Sequence, residues 1–186
     1  MKKIISLLLV LVFMFSLTAC GEKKEKNEGE IDLEYYANLG QMPECKYKLG
    51  ANADEVHDAL YDYAQNADSE ELMFNEYEKD GVSGVEDGVF SYFYEDDKKS
   101  DGIAYIVSYN KAYGFELGEI ILTIKEKIGD VEYTEEELTK ENAFFLYGVP
   151  EGTALKYKFK ENTVMFIFQD SALFATAIYR NDFKTK

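Results

Sequence analysis

The side chains that most often carry out catalysis are scarce in this sequence. His57 is the only histidine, and it stands between Val56 and Asp58 in a stretch with helical periodicity. A lone imidazole cannot build a zinc site, and this one is expected on the outer surface of a helix. Cys45 has neither another histidine nor a second thiol to activate it, so we interpret it as a partly buried structural cysteine. These residues predict no nucleophilic or metal chemistry and no cofactor.

Two short motifs resemble functional loops only superficially. Residues 81–84 (GVSG) place a serine among glycines, but the last glycine is misplaced for a nucleophile elbow and the context is a loop between strands. Residues 96–108 begin with aspartates like a calcium loop, but Lys99 stands at a ligand position and Ser108 replaces the bidentate glutamate. A solvated hairpin loop is the better interpretation. The sequence therefore predicts a protein that is not an enzyme, with a hydrolase of unrecognised site as an alternative.

The clearest chemistry lies at the N-terminus. Lys2 and Lys3 precede an apolar run of about twelve residues, which is too short to span a bilayer but suits the core of a signal peptide. The run ends in LTAC at residues 17–20, which resembles the lipobox of bacterial lipoproteins. The resemblance implies that residues 1–19 are a signal peptide and that Cys20 carries a diacylglyceryl thioether, whose two chains give stable anchoring. The alternative is an ordinary signal peptide with a chance cysteine.

The segment that follows Cys20 is polar and highly charged. Residues 20–44 begin GEKKEKNEGE after the cysteine, and this stretch cannot bury enough apolar surface to offset the entropy of ordering. We therefore predict a lipid-anchored charged tether. Some twenty flexible residues span about 25 Å root-mean-square, which lifts the following domain clear of the membrane. The prediction is an exported protein held at the outer face of the cell membrane through lipid on Cys20.

Composition and charge restrict the partners of the remaining chain. About 150 residues are enough for one compact unit with a sizeable core. The formal net charge is −16, and it falls to −18 once Lys2 and Lys3 leave with the signal peptide. Such a surface repels nucleic acid and anionic lipid headgroups and favours basic partners. With Cys20 acylated, Cys45 cannot form an internal disulfide, so the fold depends on its hydrophobic core.

Apolar periodicity and capping residues predict the helices. Asn52 is placed to cap a first helix, whose apolar stripe contains Val56, Ala59, Leu60 and Tyr63. A second helix is predicted over residues 119–128, with Gly129 as its stop signal. Residues 134–137 (TEEE) form a capping box and predict a further short turn of helix.

Alternating apolar and polar residues predict antiparallel strands. In ALKYKFK, Leu155, Tyr157 and Phe159 alternate with three lysines, so one face of the strand is expected to be buried and the other to carry ammonium groups. The remaining predicted strands are residues 164–168 and 173–179, which complete a three-stranded meander, and residues 89–94, 103–109 and 113–117 earlier in the chain.

The two halves of the domain show an internal repeat. Helix positions match at an offset of 68 residues, and strand positions match at offsets of 65 and 61. The matched pairs include Val56 with Ile124, Leu60 with Ile128, Tyr92 with Tyr157, and Tyr105 with Phe166. This predicts an α+β fold of two tandem helix-then-antiparallel-sheet units, residues 45–115 and 116–186, with the helices packed on one face of the sheet. The alternative is a single non-repetitive α+β domain.

The second unit carries a resemblance to a known fold. It has a glycine before the helix, a helix that closes on Gly129, an aromatic strand, and a polar turn between the last two strands. This order resembles the β-lactamase-inhibitor-protein-like fold and the related small lipoproteins of outer-membrane assembly. It departs from them because its strands contain no tryptophan and no proline directly follows Gly129. By analogy alone, the resemblance implies an alternative function as an inhibitor of a secreted or cell-wall enzyme.

A surface is the remaining candidate for function. Helices that cover one face of a sheet leave the other face to solvent or to a partner, and clustered aromatic side chains there would form an interaction patch. The sequence thus predicts a membrane-anchored, extracytoplasmic lipoprotein that binds a protein or peptide. The candidate binding residues are three lysines that point away from the core and three tyrosines of the first unit: Lys156, Lys158, Lys160, Tyr105, Tyr109 and Tyr113.

Overall fold

A computed structural model describes residues 31–66, 74–139, 142 and 151–183 of the chain. The predictions for the signal peptide, for Cys20 and for the tether up to residue 30 lie outside these residues. The described part has an α+β fold, as predicted. Its helices are α1 (Leu33–Leu39), α2 (Ala53–Asn66) and α3 (Ile121–Ile128), with a 3₁₀-helix at Asp96–Asp101. Its strands are β1 (Asn75–Lys79), β2 (Val82–Glu86), β3 (Phe90–Glu95), β4 (Tyr105–Ser108), β5 (Thr134–Leu138), β6 (Gly152–Lys158), β7 (Asn162–Gln169) and β8 (Ala172–Arg180).

These strands form one antiparallel sheet in the order β1-β2-β3-β4-β8-β7-β6-β5. The first four strands make one meander and the last four another, and the two meet where β4 pairs with β8. Asp80 and Gly81 join β1 to β2 with φ of 51° and 79°, the left-handed values that two-residue hairpins need. Asp170 and Ser171 make the corresponding turn between β7 and β8 with φ of 50° and 67°, at the predicted polar turn.

The caps of the two predicted helices are confirmed. The Asn52 side-chain oxygen accepts hydrogen bonds from the backbone N–H groups of Asp54 and Glu55, at 3.0 and 3.2 Å, and so begins α2. Helix α3 ends where the N–H of Gly129 donates to the carbonyl of Lys125 at 3.0 Å. Val56 and Leu60 of α2 and Ile124 and Ile128 of α3 are buried, as the periodicity indicates. Tyr63, which was predicted in the α2 stripe, is 60% exposed.

The three described helices pack on one face of the sheet, which we call the helix-side face. Leu33 of α1, Val56 of α2 and Ile124 of α3 share a single buried cluster with sheet residues such as Phe166 and Tyr157. The aromatic rings of this cluster meet edge to face, the arrangement that their quadrupoles favour. This cluster is the principal core of the domain.

The predicted tether extends too far into the chain, because the compact unit already begins at Ile31. Leu33 and Ala37 lie four residues apart, so they share one face of α1 and are both buried there. The side-chain amide of Asn162 donates to the carbonyl of Ala37 at 2.7 Å and fixes α1 against β7. Met42 is also buried. The apolar stripe of Leu33 and Ala37 indicates a short helix in this stretch, which overall composition does not reveal.

Two local predictions are wrong. Residues 134–137 form part of β5 and not a helical turn, because Glu136 pairs with Ala154 of β6 and its carboxylate binds Lys156. A capping box without following apolar periodicity cannot offset the cost of helix nucleation. Residues 113–117 are not a strand: Ala112 and Phe115 exchange both backbone hydrogen bonds across a tight turn.

The residue pairs used to infer the repeat are also corrected. Strands β1 and β2 were not predicted, and with them in place Tyr92 lies on the third strand of its meander whereas Tyr157 lies on the second of its own. Tyr105 and Phe166 belong to the clusters on opposite faces of the sheet. The helix pairs, Val56 with Ile124 and Leu60 with Ile128, are buried on the helix-side face in both halves.

His57 connects α2 to the outermost strand of the sheet. Its Nε2 lies 2.7 Å from a carboxylate oxygen of Glu76 in β1, and its Nδ1 lies 3.1 Å from Asp58. The hydrogen bonds to Glu76 and then to Asp58 raise the pKa of His57. A raised pKa stabilises the folded state below the unfolded value of about 6.5, and this contribution disappears as the pH rises through the folded value.

We therefore expect Glu76→Gln to destabilise the protein more at about pH 6 than at about pH 8.5, since the histidine is charged only at the lower pH. Thermal melts of the two proteins at both pH values measure this. Glu78→Gln is the matched control, because Glu78 is exposed on the same strand and the same face. Equal destabilisation by Glu76→Gln at both pH values would contradict the pairing.

Candidate interaction face of the sheet

The face of the sheet opposite to the helices carries a second apolar cluster, and we call it the second face. None of the described helices contributes a residue to this cluster. Side chains of a strand alternate between the two faces, so neighbouring strands supply this cluster at every second position. Its buried members are Val82, Phe93, Tyr105, Val107, Leu138, Ala154, Met165, Ile167, Ala175 and Ala177, and the half-buried residues against it are Tyr77, Tyr109, Phe174, Tyr179 and Phe183.

The centre of the second face is aromatic. Tyr105 is only 3% exposed and lies opposite Tyr179 where the two meanders join. The two rings stack with their centroids 5.3 Å apart. The ring centroids of Phe93 and Phe183 lie 6.0 and 5.5 Å from that of Tyr105. Burial raises the pKa of Tyr105 and that of Tyr179, so both hydroxyls stay protonated at neutral pH.

Tyr109 lies at the margin of this face, just after β4. Its ring meets Phe174 edge to face with the centroids 5.9 Å apart. Burial, with a smaller contribution from the Glu86 carboxylate, raises the pKa of Tyr109 to about 12. The structure therefore brings the predicted residues Tyr105 and Tyr109 together on one face.

Tyr113, the third tyrosine predicted as a binding residue, is not on this face. It is 2% exposed within the helix-side cluster, with its ring against Tyr36 and Phe166. The chain reverses at Tyr113, which has a φ of 53°, and the Glu44 carboxylate accepts its backbone N–H at 3.0 Å. This turn directs the ring into the core, where no partner can reach it.

The predicted lysines lie toward the other end of the sheet. Lys156 and Lys158 of β6 pair with Met165 and Thr163 of β7, so both project from the second face. Lys156 forms an ion pair with Glu136 of β5, and Lys158 is exposed. Lys160 lies beyond the strand, exposed in the connection to β7. The lysines therefore form a charged border to the aromatic centre.

A pocket of about 240 Å³ opens among the first four strands and β8. Four of its six lining residues are aromatic, and its polar side-chain groups are one carboxylate and three hydroxyls. The Tyr77 hydroxyl donates a hydrogen bond to the Glu86 carboxylate and so positions it. Its lining residues are Tyr77, Glu86, Ser91, Phe93, Tyr109 and Phe174.

Of these lining residues, the sequence pattern predicts only Tyr109 as a binding residue. Tyr77 lies opposite Gly84, and Glu86 lies opposite Asn75, on the β1–β2 hairpin. The sequence pattern predicts a loop at residues 81–84 instead of this hairpin. The dipeptide Asp80-Gly81 between short alternating segments is a strong hairpin signal, and it would have placed both side chains on a sheet.

The thiol of Cys45 is not a reactive group. Cys45 is 4% exposed, and its Sγ–H donates to the Tyr92 hydroxyl at 3.4 Å. Burial raises the pKa of this thiol, which disfavours the thiolate that reacts with electrophiles. The sequence predicts a partly buried structural cysteine, and in the structure Cys45 is buried.

In a Cys20→Ala chain Cys45 is the only thiol. We expect the folded chain to react with Ellman's reagent far more slowly than the chain in guanidinium chloride, because only unfolding exposes the sulfur. The absorbance of released thionitrobenzoate measures both rates. Equally fast reaction of the folded chain would show that Cys45 is accessible.

Two further kinds of functional feature concern the described residues, 31–66, 74–139, 142 and 151–183. In those ranges no helix is long and apolar enough to cross a membrane. Among the same residues, no three histidine, cysteine, aspartate or glutamate side chains are grouped so as to hold a metal ion. The sequence matches no known protein-family model, and neither curated proteins nor solved structures give a significant match.

Proposed function

We propose that this protein is an exported lipoprotein, anchored through Cys20, that binds a protein or peptide partner on the second face of its sheet without catalysis. The observation that carries the proposal is the second face itself. It presents half-buried aromatic residues, among them Tyr109, Phe174 and Tyr179, around a buried apolar centre. Tyrosine and phenylalanine are enriched in protein interfaces because each supplies a large apolar area at low entropic cost.

The border of this face is suited to orienting a partner. Lys156 and Lys158 lie at one side, and Glu86 lies at the other. Apolar residues at the centre of an interface supply most of the affinity, while charged residues at the rim determine orientation and the rate of association. A partner that spans the sheet would therefore contact both an apolar centre and charged residues of both signs.

The lipid anchor is the second part of the proposal. It is supported by the LTAC motif at residues 17–20 and by the preceding apolar run with two lysines. The compact unit begins at Ile31, about ten residues after Cys20 in the sequence. The partner is accordingly expected near the outer surface of the same membrane.

We further propose that the sheet arose from two tandem units, each a helix followed by a four-stranded meander. The first unit is α2 with β1–β4 and the second is α3 with β5–β8, which share the same order of elements. The antiparallel pairing of β4 with β8 then continues the second face from one unit to the other. Superposing the two units in an experimental structure tests this, and a mismatch of helix with strand contradicts it.

The proposed binding face is tested by capture of partners from detergent-solubilised cells. We expect wild type to retain a specific protein that Tyr109→Ala loses, because Tyr109 lies at the margin of the second face. Tyr63→Ala is the matched control, since Tyr63 is 60% exposed on α2 and belongs to neither cluster. Loss of the partner with Tyr63→Ala but not with Tyr109→Ala would contradict the proposal.

A further inference from the structure

The aromatic pocket on the second face contains a carboxylate to which none of the described residues supplies a counter-ion. Glu86 accepts a hydrogen bond from the Tyr77 hydroxyl, but no lysine, arginine or histidine of the described chain forms an ion pair with it. Its side chain is half-buried among Phe93, Tyr109 and Phe174. Removing a carboxylate from water is costly unless a charge partner compensates, so this position is suited to an incoming cation.

The two other carboxylates of the second face differ from Glu86 in this respect. Glu95 is buried and binds Lys98 at 2.9 Å, with Arg180 at 3.9 Å. Glu136 binds Lys156 of the neighbouring strand. Among these three carboxylates, Glu86 alone has no cationic partner from the described residues, and the pocket lies beside it.

The size of the pocket limits what can occupy it. At about 240 Å³ it is smaller than the roughly 300–1,000 Å³ of pockets that bury a whole drug-sized ligand. A single extended side chain fits this space better than a complete cofactor or sugar. Flanking rings attract a cation through their negative faces when it lies within about 6 Å of the ring centroid.

We propose that this pocket receives the side chain of a lysine or arginine from a basic protein partner. The apolar stem of that side chain packs against the half-buried rings of Tyr109 and Phe174, and its charged end pairs with Glu86, which the Tyr77 hydroxyl holds in place. The net charge of −16 attracts a basic partner from a distance. The inference rests on the proposed function, since it names the chemistry of the partner that the second face would bind.

The test uses the processed protein purified from membranes in detergent, with two probes that differ only in charge. N-acetyl-lysine amide carries the ammonium group, and N-acetyl-norleucine amide lacks it. We expect the lysine probe to shift the NMR signals of the Tyr77 and Tyr109 rings saturably, and to bind about tenfold more tightly than the norleucine probe. N-acetyl-arginine amide should behave like the lysine probe.

Glu86→Gln keeps the size of the side chain and removes its charge, so it should weaken binding of the lysine probe about tenfold. Glu78→Gln makes the same change in net charge on the other face of β1 and should leave binding unchanged. Three outcomes would overturn the proposal that the pocket binds a cationic side chain. The lysine and norleucine probes bind equally well, the lysine probe binds Glu86→Gln as tightly as wild type, or no probe shifts the NMR signals. Binding of choline but not of the lysine and arginine probes would overturn a protein side chain as the occupant.

These outcomes are distinguishable from failure of the proposed function. If the pocket does not bind the cationic probes but Tyr109→Ala still loses a captured protein, the second face binds a partner by other contacts. If the probes bind and capture is unaffected by Tyr109→Ala, the pocket is a cation site and the wider face is not the interface.

Discussion

Replacing Phe166 with alanine should lower the free energy of unfolding by about 3–5 kcal/mol, the usual cost of truncating a buried phenylalanine once its cavity is counted. The side chain is fully buried on the helix-side face of β7. Its ring meets Phe115, Tyr157 and Tyr113 with centroid distances of 5.3, 5.9 and 6.2 Å. The loss is a large share of the ~5–15 kcal/mol that holds a domain folded.

Urea denaturation of Phe166→Ala beside Lys158→Ala measures this difference. Lys158 is exposed on the second face, so its replacement should change stability by no more than about 0.5 kcal/mol. Phe159 is half-buried after the end of β6, and Phe159→Ala should fall between the two. If Phe166→Ala and Lys158→Ala unfold at the same urea concentration, the assignment of the helix-side face is incorrect.

Replacing Cys20 with alanine should abolish acylation completely, because the thioether forms on that sulfur alone. The LTAC motif at residues 17–20 leads us to expect a chain that is released, or held only by its uncleaved signal peptide. Metabolic labelling with a fatty-acid analogue, followed by separation of membrane and soluble fractions, measures both effects.

Cys45→Ala is the control for this experiment, since it removes the other cysteine of the chain. That protein should still carry the label and remain in the membrane fraction, although loss of the buried thiol lowers its stability. Label on the Cys20→Ala chain would remove the lipoprotein proposal.

Elements with a strong local pattern were predicted correctly from the sequence. Helix α2 begins at the predicted cap Asn52, and α3 ends at Gly129. Strand β6 carries Leu155 and Tyr157 on its buried face, as their alternation with lysines indicates. In each case one short window contains both the periodicity and the residues that end the element.

The missed elements lie in acidic stretches where long-range pairing determines structure. Strand β5 contains TEEEL, which has no alternation, and it is a strand because it pairs with β6 and its Glu136 binds Lys156. Helix α1 is seven residues long and is held by packing of Leu33 and Ala37 and by the Asn162 side chain. Such elements depend on contacts with residues far away in the sequence.

The candidate site was predicted in part for the same reason. Tyr105, Tyr109, Lys156 and Lys158 alternate along strands, so their common face follows from the period of two. The pocket brings together residues from β1, β2, β3 and β8 and from the segment after β4, and only the sheet order makes them neighbours. The position of Tyr113 depends on a turn with positive φ, which the strand pattern did not indicate.

The most direct test of the account is photo-crosslinking in intact cells with benzoylphenylalanine placed at position 109 or at position 63. Position 109 lies at the margin of the second face, and position 63 lies on the exposed surface of α2. Interface contacts are short-ranged, so a crosslinker reacts only with what touches its own face. If the partner binds the second face, we expect a protein adduct from position 109 and none from position 63. An adduct from position 63 alone, or equal adducts from both positions, would contradict the claim that the second face binds the partner.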